Sequence, residues 1–174
     1  MLRQAQHEEG LYVIPDVLAT NLKVVFCGSA VGPKSAALKL PYAGPGNKFW
    51  PTLHKAGFTP TQLAPADYRT LPAIGYGLTD LNKIEWGVDT ALTGVGDDVD
   101  ALRRKIVRFQ PEILAFTAKR PAQVFLGRPV DYGFQDARVG ATRLYVLPSP
   151  SGRAGSYWDI SYWRALARAA RVAA

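Results

Sequence analysis

The 174-residue chain contains one cysteine, one methionine and two histidines. A lone thiol, Cys27, can close no internal disulfide, and a chain this long buries about two thirds of its unfolded surface without covalent staples. A reducing, cytoplasmic setting of bacterial type is therefore expected. Two histidines and one cysteine do not make a usual zinc site, and no metal or organic cofactor is expected. No apolar run approaches the ~20 residues of a membrane span, so no membrane partner is expected. The opening MLRQAQHEEG lacks an apolar h-region, so no signal peptide is expected, and residues 1–10 read as a frayed polar start. No internal period is found, which excludes collagen, coiled coils and repeat arrays. Acidic side chains are the scarcer charge, 14 against 21 basic ones, leaving a net charge of +7. A small protein this basic suits a polyanionic partner. A hydrophobic share of 48% and a charged share of 20% fit one globular domain over residues 1–174 and exclude disorder.

Elements follow from the apolar pattern. Lys23 to Gly28 is a continuous apolar run ending in glycine, as in a strand buried on both faces. A Gly- and Pro-rich loop follows from Ser29 to Gly46. Asn47 to Gly57 predicts a helix with Phe49, Trp50, Leu53 and Ala56 on one face, Asn47 as cap and Gly57 as stop. Thr59 to Leu71 reads as a loop with a short helix, Ile74 to Leu81 as a second strand, and Trp86 to Gly96 as a long loop. Asp97-Asp98 opens a helix carrying Val99, Leu102, Ile106 and Phe109, which Pro111 ends. Glu112 to Thr117 is a third strand, Pro121 to Leu126 a helical turn or two, and Arg143 to Leu147 a fourth strand. Trp158 to Ala174 is an Ala-rich helix with Trp163, Leu166 and Ala170 inward. Alternating strands and helices predict an α/β fold, a three-layer α/β/α sandwich around a mostly parallel four-stranded sheet.

Ligands in such sheets bind beyond the carboxyl ends of the strands. Three segments would share that rim: Gly28-Ser29-Ala30-Val31-Gly32, Thr79-Asp80, and Pro148-Ser149-Pro150-Ser151-Gly152-Arg153. Any one of them can be a mere turn; together they predict a shared site. The first lacks the GxxxxGK[ST] and GxGxxG patterns, so neither a P-loop nor a dinucleotide fingerprint is present.

Val24-Val25-Phe26-Cys27-Gly28, then Pro41-Tyr42-Ala43-Gly44-Pro45-Gly46-Asn47-Lys48-Phe49-Trp50, and finally Pro148-Ser149-Pro150-Ser151-Gly152 form one ordered set of motifs. The set resembles the mismatch-specific uracil/thymine-DNA glycosylase family, with its VVFCGxNPG, PFAxPxNRFW and PNPSG patterns, from about Ile14 to Trp163. The resemblance implies a three-layer α/β sandwich and a monofunctional enzyme that flips a base from double-stranded DNA and hydrolyses its N-glycosidic bond in base excision repair. It implies a base pocket formed by Gly28, Ser29, Ala30 and Val31, with Tyr42 stacking on the flipped base and Asn47 opening the helix behind. It implies that Ser149, Pro150, Ser151, Gly152 and Arg153 enter the duplex. Lys34 and Lys48, with Lys39, add phosphate-neutralising charge near that rim. Uracil or a mismatched base is the expected target, and a monomer the expected state.

This sequence departs from the family where its asparagine positions the hydrolytic water: Ala30 stands there, followed by Val31 in place of proline. Alanine cannot hold a water. Ser149 replaces an asparagine in the closing motif. Glycosidic cleavage passes through a sugar cation, which a carboxylate can stabilise while taking a proton from water. Asp80, at the end of the second strand, is the candidate, and Glu85 is the second choice. A turn or capping aspartate is the other reading of Asp80, and a plain core aromatic that of Tyr42. Two rival functions stay open: a non-catalytic binder of damaged DNA, and an enzyme on free nucleosides. Placement of Asp80 in the pocket discriminates the first rival. The third strand ends in Thr117-Ala118-Lys119 without an amide side chain, so loose base selection is expected.

Overall fold

The computed structural model of the chain describes residues 10–172. Apart from Gly10, the stretch expected to fray lies outside the described residues, as do the last two residues of the tail. Five strands form one sheet: β1 (Val24–Gly28), β2 (Tyr76–Asp80), β3 (Ile113–Phe116), β4 (Gly133–Val139) and β5 (Thr142–Val146), in the order β2-β1-β3-β5-β4. β1, β2, β3 and β5 run parallel, and β4 pairs antiparallel with β5 at the edge.

The expectation of four strands is corrected by β4. Its residues alternate between partly covered and exposed, and four of them are Phe134, Gln135, Asp136 and Arg138. An edge strand with one solvated face needs no continuous apolar run, which is the signal that reveals the central strands. A two-residue turn, Gly140-Ala141, joins it to β5, with Gly140 at φ 56°.

Among the described residues there are five helices: α1 (Pro33–Leu38), α2 (Phe49–Lys55), α3 (Val99–Phe109), α4 (Lys119–Leu126) and α5 (Ile160–Val172). α1 lies inside the stretch expected to be loop; it is a single short helix with Pro33 in its first turn. The residues before β2 form a 3-10 segment, Pro65–Ile74, so β2 starts at Tyr76, after Gly75 turns the chain at φ 95°. In α3 the Asp98 carboxylate accepts the Ala101 N–H at 2.8 Å, and Leu102 and Ile106 are buried one turn apart.

Strand alternation sends side chains to both faces. Val24 and Phe26 join Phe49, Trp50, Leu53, Trp163 and Leu166 under α2 and α5. Val25 and Cys27 join Leu102, Ile106, Ala122 and Phe125 under α3 and α4. These two cores are the two interlayers of an α/β/α sandwich. Cys27 is fully buried, and burial pushes its thiol well up, so it stays protonated and inert.

The layer under α5 also anchors the rim. Trp163 is fully buried, stacks on Phe26 at 6.0 Å between centroids, and donates its indole N–H to the Pro148 carbonyl at 3.2 Å. Trp163→Phe keeps the ring but orphans that carbonyl. Urea unfolding should show a loss of about 1–3 kcal/mol, accompanied by faster amide exchange over Ser149–Arg153.

Candidate active site

The carboxyl ends of β1, β2 and β5 open into one pocket of about 860 Å³, well within the range of small-ligand sites. Its lining includes Gly28 to Gly32, Thr79 and Asp80, and Ser149 to Arg153. The three rim segments predicted from the sequence thus meet. Two backbones touch where the closing loop crosses the loop before α2. The Lys48 N–H donates to the Pro150 carbonyl at 2.8 Å, and a Cβ on Gly152 would lie 2.7 Å from the Pro45 carbonyl oxygen. Only glycine permits that approach.

The pocket floor is set by the pairing of Gly28 with Asp80 across β1 and β2. A Cβ on Gly28 would sit 2.6 Å from Asp80 Oδ1, 3.3 Å from the Tyr42 hydroxyl and 3.5 Å from Thr117 Oγ1. Three polar groups therefore converge over the one residue that has no side chain. Tyr42 has φ 53°, a left-handed backbone that non-glycine residues adopt rarely and at a cost. Its ring lies flat on Phe49, with centroids 3.9 Å apart and planes 13° apart, and its hydroxyl bonds Thr117 Oγ1 at 3.1 Å. Beside it, the Ser35 hydroxyl accepts the Ala43 N–H at 2.9 Å and Trp50 donates to the Pro41 carbonyl at 3.0 Å. The strained turn is held from both sides, and one ring face is already backed by Phe49. Burial, then the nearby Asp80 charge, pushes the phenol well up, so it stays neutral.

Asp80 is largely buried, with 16% of its side chain exposed. Burial pushes its carboxyl above the ordinary value; the Lys83 ammonium pulls it back, and the Asp16 carboxylate adds to the rise. Lys83 Nζ lies 3.5 Å from Asp80 Oδ2 and 3.0 Å from Asp16 Oδ1. Asp16 also takes Lys105 at 2.7 Å and the Thr79 hydroxyl at 2.7 Å. A carboxylate raised by burial and facing a pocket is the form a general base takes.

A family model for the uracil DNA glycosylase superfamily matches residues 15–167. The chain belongs to the uracil DNA glycosylase superfamily. The fold is also similar to the solution NMR structure of a putative uracil DNA glycosylase from Methanosarcina acetivorans, at 23% identity and a TM-score of 0.62, covering 91% of this chain and 96% of that one.

Within this superfamily member, the predicted pocket residues Gly28, Ser29, Ala30, Val31, Tyr42, Asn47 and Asp80 all line the pocket, as do Lys34 and Ser149 to Arg153. Asn47 spends its carbonyl on the Phe49 N–H at 3.0 Å, and Lys48 rather than Asn47 is the formal cap of α2. Lys48 does not line the pocket; its ammonium sits 5.5 Å over the Trp158 ring. Lys39 is turned back onto the Val13 carbonyl at 3.2 Å.

Glu85, the second-choice carboxylate, lies off the pocket. It organises the loop after β2 by accepting from the Thr93 hydroxyl and N–H, Asn82 Nδ2 and the Gly96 N–H. Those bonds, Thr93 first, hold its carboxyl down to about 2. The same loop is tied to the first motif: Arg120 pairs with Asp97 at 2.7 Å and donates to Ser29 Oγ at 3.4 Å. The loop then returns Gly87 to Thr90 to the pocket wall.

Sequence reasoning passed over Lys83, Asp16 and Lys105, and named Thr117 only as a strand end without an amide side chain. Lys83, three residues beyond Asp80, was the one readable signal; Asp16 reaches the site from a segment before β1 that no motif marks.

Gly28→Ala tests the floor geometry. The new methyl must push the Asp80 carboxylate or the β1–β2 register aside. Loss of thermal stability and of DNA glycosylase activity is expected; unchanged activity would mean that the three groups do not need to converge there.

Proposed function

We propose that this chain is a monofunctional DNA glycosylase of the mismatch-specific type, which flips uracil, and with loose selection other damaged bases, out of double-stranded DNA and hydrolyses the N-glycosidic bond to leave an abasic site. The observation that carries the reading is the Asp80 carboxylate at the pocket floor, beside the first-motif loop in which Ala30 replaces the family's asparagine.

The chemistry follows from that placement. A flipped base enters the pocket and lies against the free face of the Tyr42 ring. The C1′–N bond breaks, its electron pair leaving with the base, and positive charge develops on the sugar. The Asp80 carboxylate stabilises that charge and accepts a proton as water oxygen bonds C1′. Asp80 then gives up that proton, which neutralises the departing base anion, and the carboxylate is restored. Ser149 to Arg153 fill the vacated stack, and the exposed Lys34 and Arg153 offer charge to phosphates. The end of β3 brings no side-chain amide to the pocket, and the Asn47 amide that lines it has its oxygen engaged by the Phe49 N–H, which supports loose base selection.

Single-turnover cleavage of duplexes with uracil opposite G or A tests the reading. Asp80→Asn should bind DNA normally yet lose about 10²-fold or more in rate, the scale of a lost general base. Wild-type rate should fall as pH drops through the raised Asp80 value, at higher pH than an exposed aspartate would give. The stability sign is opposite. A carboxyl raised by folding costs stability once ionised, so Asp80→Asn should melt no lower than wild type at pH 8, with any gain vanishing in acid. An inactive wild type that still binds damaged duplexes would turn the assignment to the binder.

Stacking on an aromatic contributes about 1–3 kcal/mol per base. Tyr42→Ala should therefore slow excision by about 10–100-fold, while Tyr42→Phe, which keeps the ring on Phe49, should be mild. Full activity in Tyr42→Ala would assign the ring to the core alone.

A further inference from the structure

From the pocket, which Asp80 and Lys83 both line, a chain of alternating charges runs inward to Asp16 and Lys105, and beyond Asp80 the proposed chemistry does not itself use it. Lys83 Nζ bridges Asp80 Oδ2 at 3.5 Å and Asp16 Oδ1 at 3.0 Å, and Lys105 Nζ closes the other Asp16 oxygen at 2.7 Å. The four members come from four places: the segment before β1, the end of β2, the turn after β2, and α3. Only 8% of the Lys83 side chain is exposed, against 11% for Asp16 and 18% for Lys105. The Tyr12 ring covers the cations, with Lys83 5.2 Å and Lys105 4.7 Å from its centroid. The Thr79 hydroxyl donates to Asp16 at 2.7 Å.

A buried lysine is expensive to keep charged, and two carboxylates with two ammoniums give a neutral set that justifies its burial. The set is asymmetric, however. Asp16 has three polar partners and is pulled below the ordinary carboxylate value: burial pushes it up, but Lys83 and Lys105 outweigh that. Asp80 has the Lys83 ammonium alone, at the longer distance, and keeps its remaining oxygen at the pocket. The charged and titratable groups around Asp80 are Lys83 beside it, Asp16 ahead of β1, Lys105 on α3, Cys27 on β1 and Tyr42 across the floor. Lys83 is the cation nearest to it among the described residues.

We propose that Lys83, clamped on Asp16, is a positioning residue that keeps the Asp80 carboxylate charged and aimed into the pocket. The inference rests on Asp80 being the catalytic carboxylate. Asp16 fixes where the ammonium stands, and Lys83 passes that placement to Asp80. Removing the Lys83 charge leaves Asp80 with burial and the Asp16 charge, both favouring its protonated form. Asp16 stays paired with Lys105, so the scaffold keeps one of its ion pairs.

The test is the pH dependence of single-turnover uracil excision, at saturating enzyme, for wild type, Lys83→Met, Lys83→Gln, Lys83→Arg and Asp80→Asn. In the two neutral variants the acid limb should move up by about one pH unit or more. Their rate should fall about tenfold or more on the acid limb of the wild-type profile and approach wild type on its alkaline plateau, with DNA affinity unchanged. Lys83→Arg should restore most of the rate on the acid limb. The ¹³C shift of the Asp80 carboxyl, followed through the same titration without substrate, should move in parallel. An unmoved acid limb, a loss equal at every pH, or no rescue by arginine would each overturn the proposal. So would failure of both neutral variants to fold while Lys83→Arg folds, which would make Lys83 part of the scaffold alone. Wild-type rate in Asp80→Asn would instead overturn the catalytic reading itself, whereas an inactive Asp80→Asn with an unmoved limb in Lys83→Met removes only the role of Lys83.

Discussion

The site depends on one steric constraint: the last residue of β1 has no side chain. In the parallel register Gly28 stands opposite Asp80, and the space a methyl group would take is where the Asp80 carboxylate meets the Tyr42 and Thr117 hydroxyls. The loop of the first motif, the placement of Tyr42 against Phe49 and the direction of Asp80 into the pocket all follow from that vacancy. Ala30, two residues on, adds no polar group to the pocket, and the nearest carboxylate arrives from the neighbouring strand.

That arrangement sets a balance between stability and reactivity. Phe26, Phe49 and Trp163 pack the layer below, and each large buried ring contributes ~1.5–3 kcal/mol of apolar burial. Above them, Tyr42 is held in a left-handed backbone and Asp80 is held with too little solvent. The rigid aromatic layer is what allows such unfavourable features to persist at the rim. Arg120, Asp97, Asn82 and Glu85 secure the facing loop by hydrogen bonds instead of apolar packing, which suits a segment with an exposed Trp86 and Val95.

The central strands and the rim were legible in the sequence because both are written locally. Val24 to Cys27 is an unbroken apolar run, and the glycine- and proline-rich segments mark strand ends. That Asp80 lines the pocket was legible from its place at a strand end on the shared rim. β4 was not legible, since Gln135, Asp136 and Arg138 on an edge strand read as loop. Helix α1 hid among glycines and prolines, because six residues are too few to show a period. Lys83 and Asp16 were missed for a different reason. An ion pair spanning distant segments leaves no spacing to read, and burial, which gives it meaning, exists only in the fold.

The contact between the closing loop and the loop before α2 is made by backbone, through the Lys48 N–H, the Pro150 carbonyl and the bare Cα of Gly152. Such a contact is blind to side-chain identity. Ser149 and Ser151 brace the loop as well, their hydroxyls accepting the Ser151 N–H at 3.2 Å and the Arg153 N–H at 3.3 Å, whereas the exposed Arg153 side chain can change without disturbing that bracing, provided that the glycine remains. The exposed face of the closing loop can therefore change at Arg153 while the pocket beneath keeps its shape.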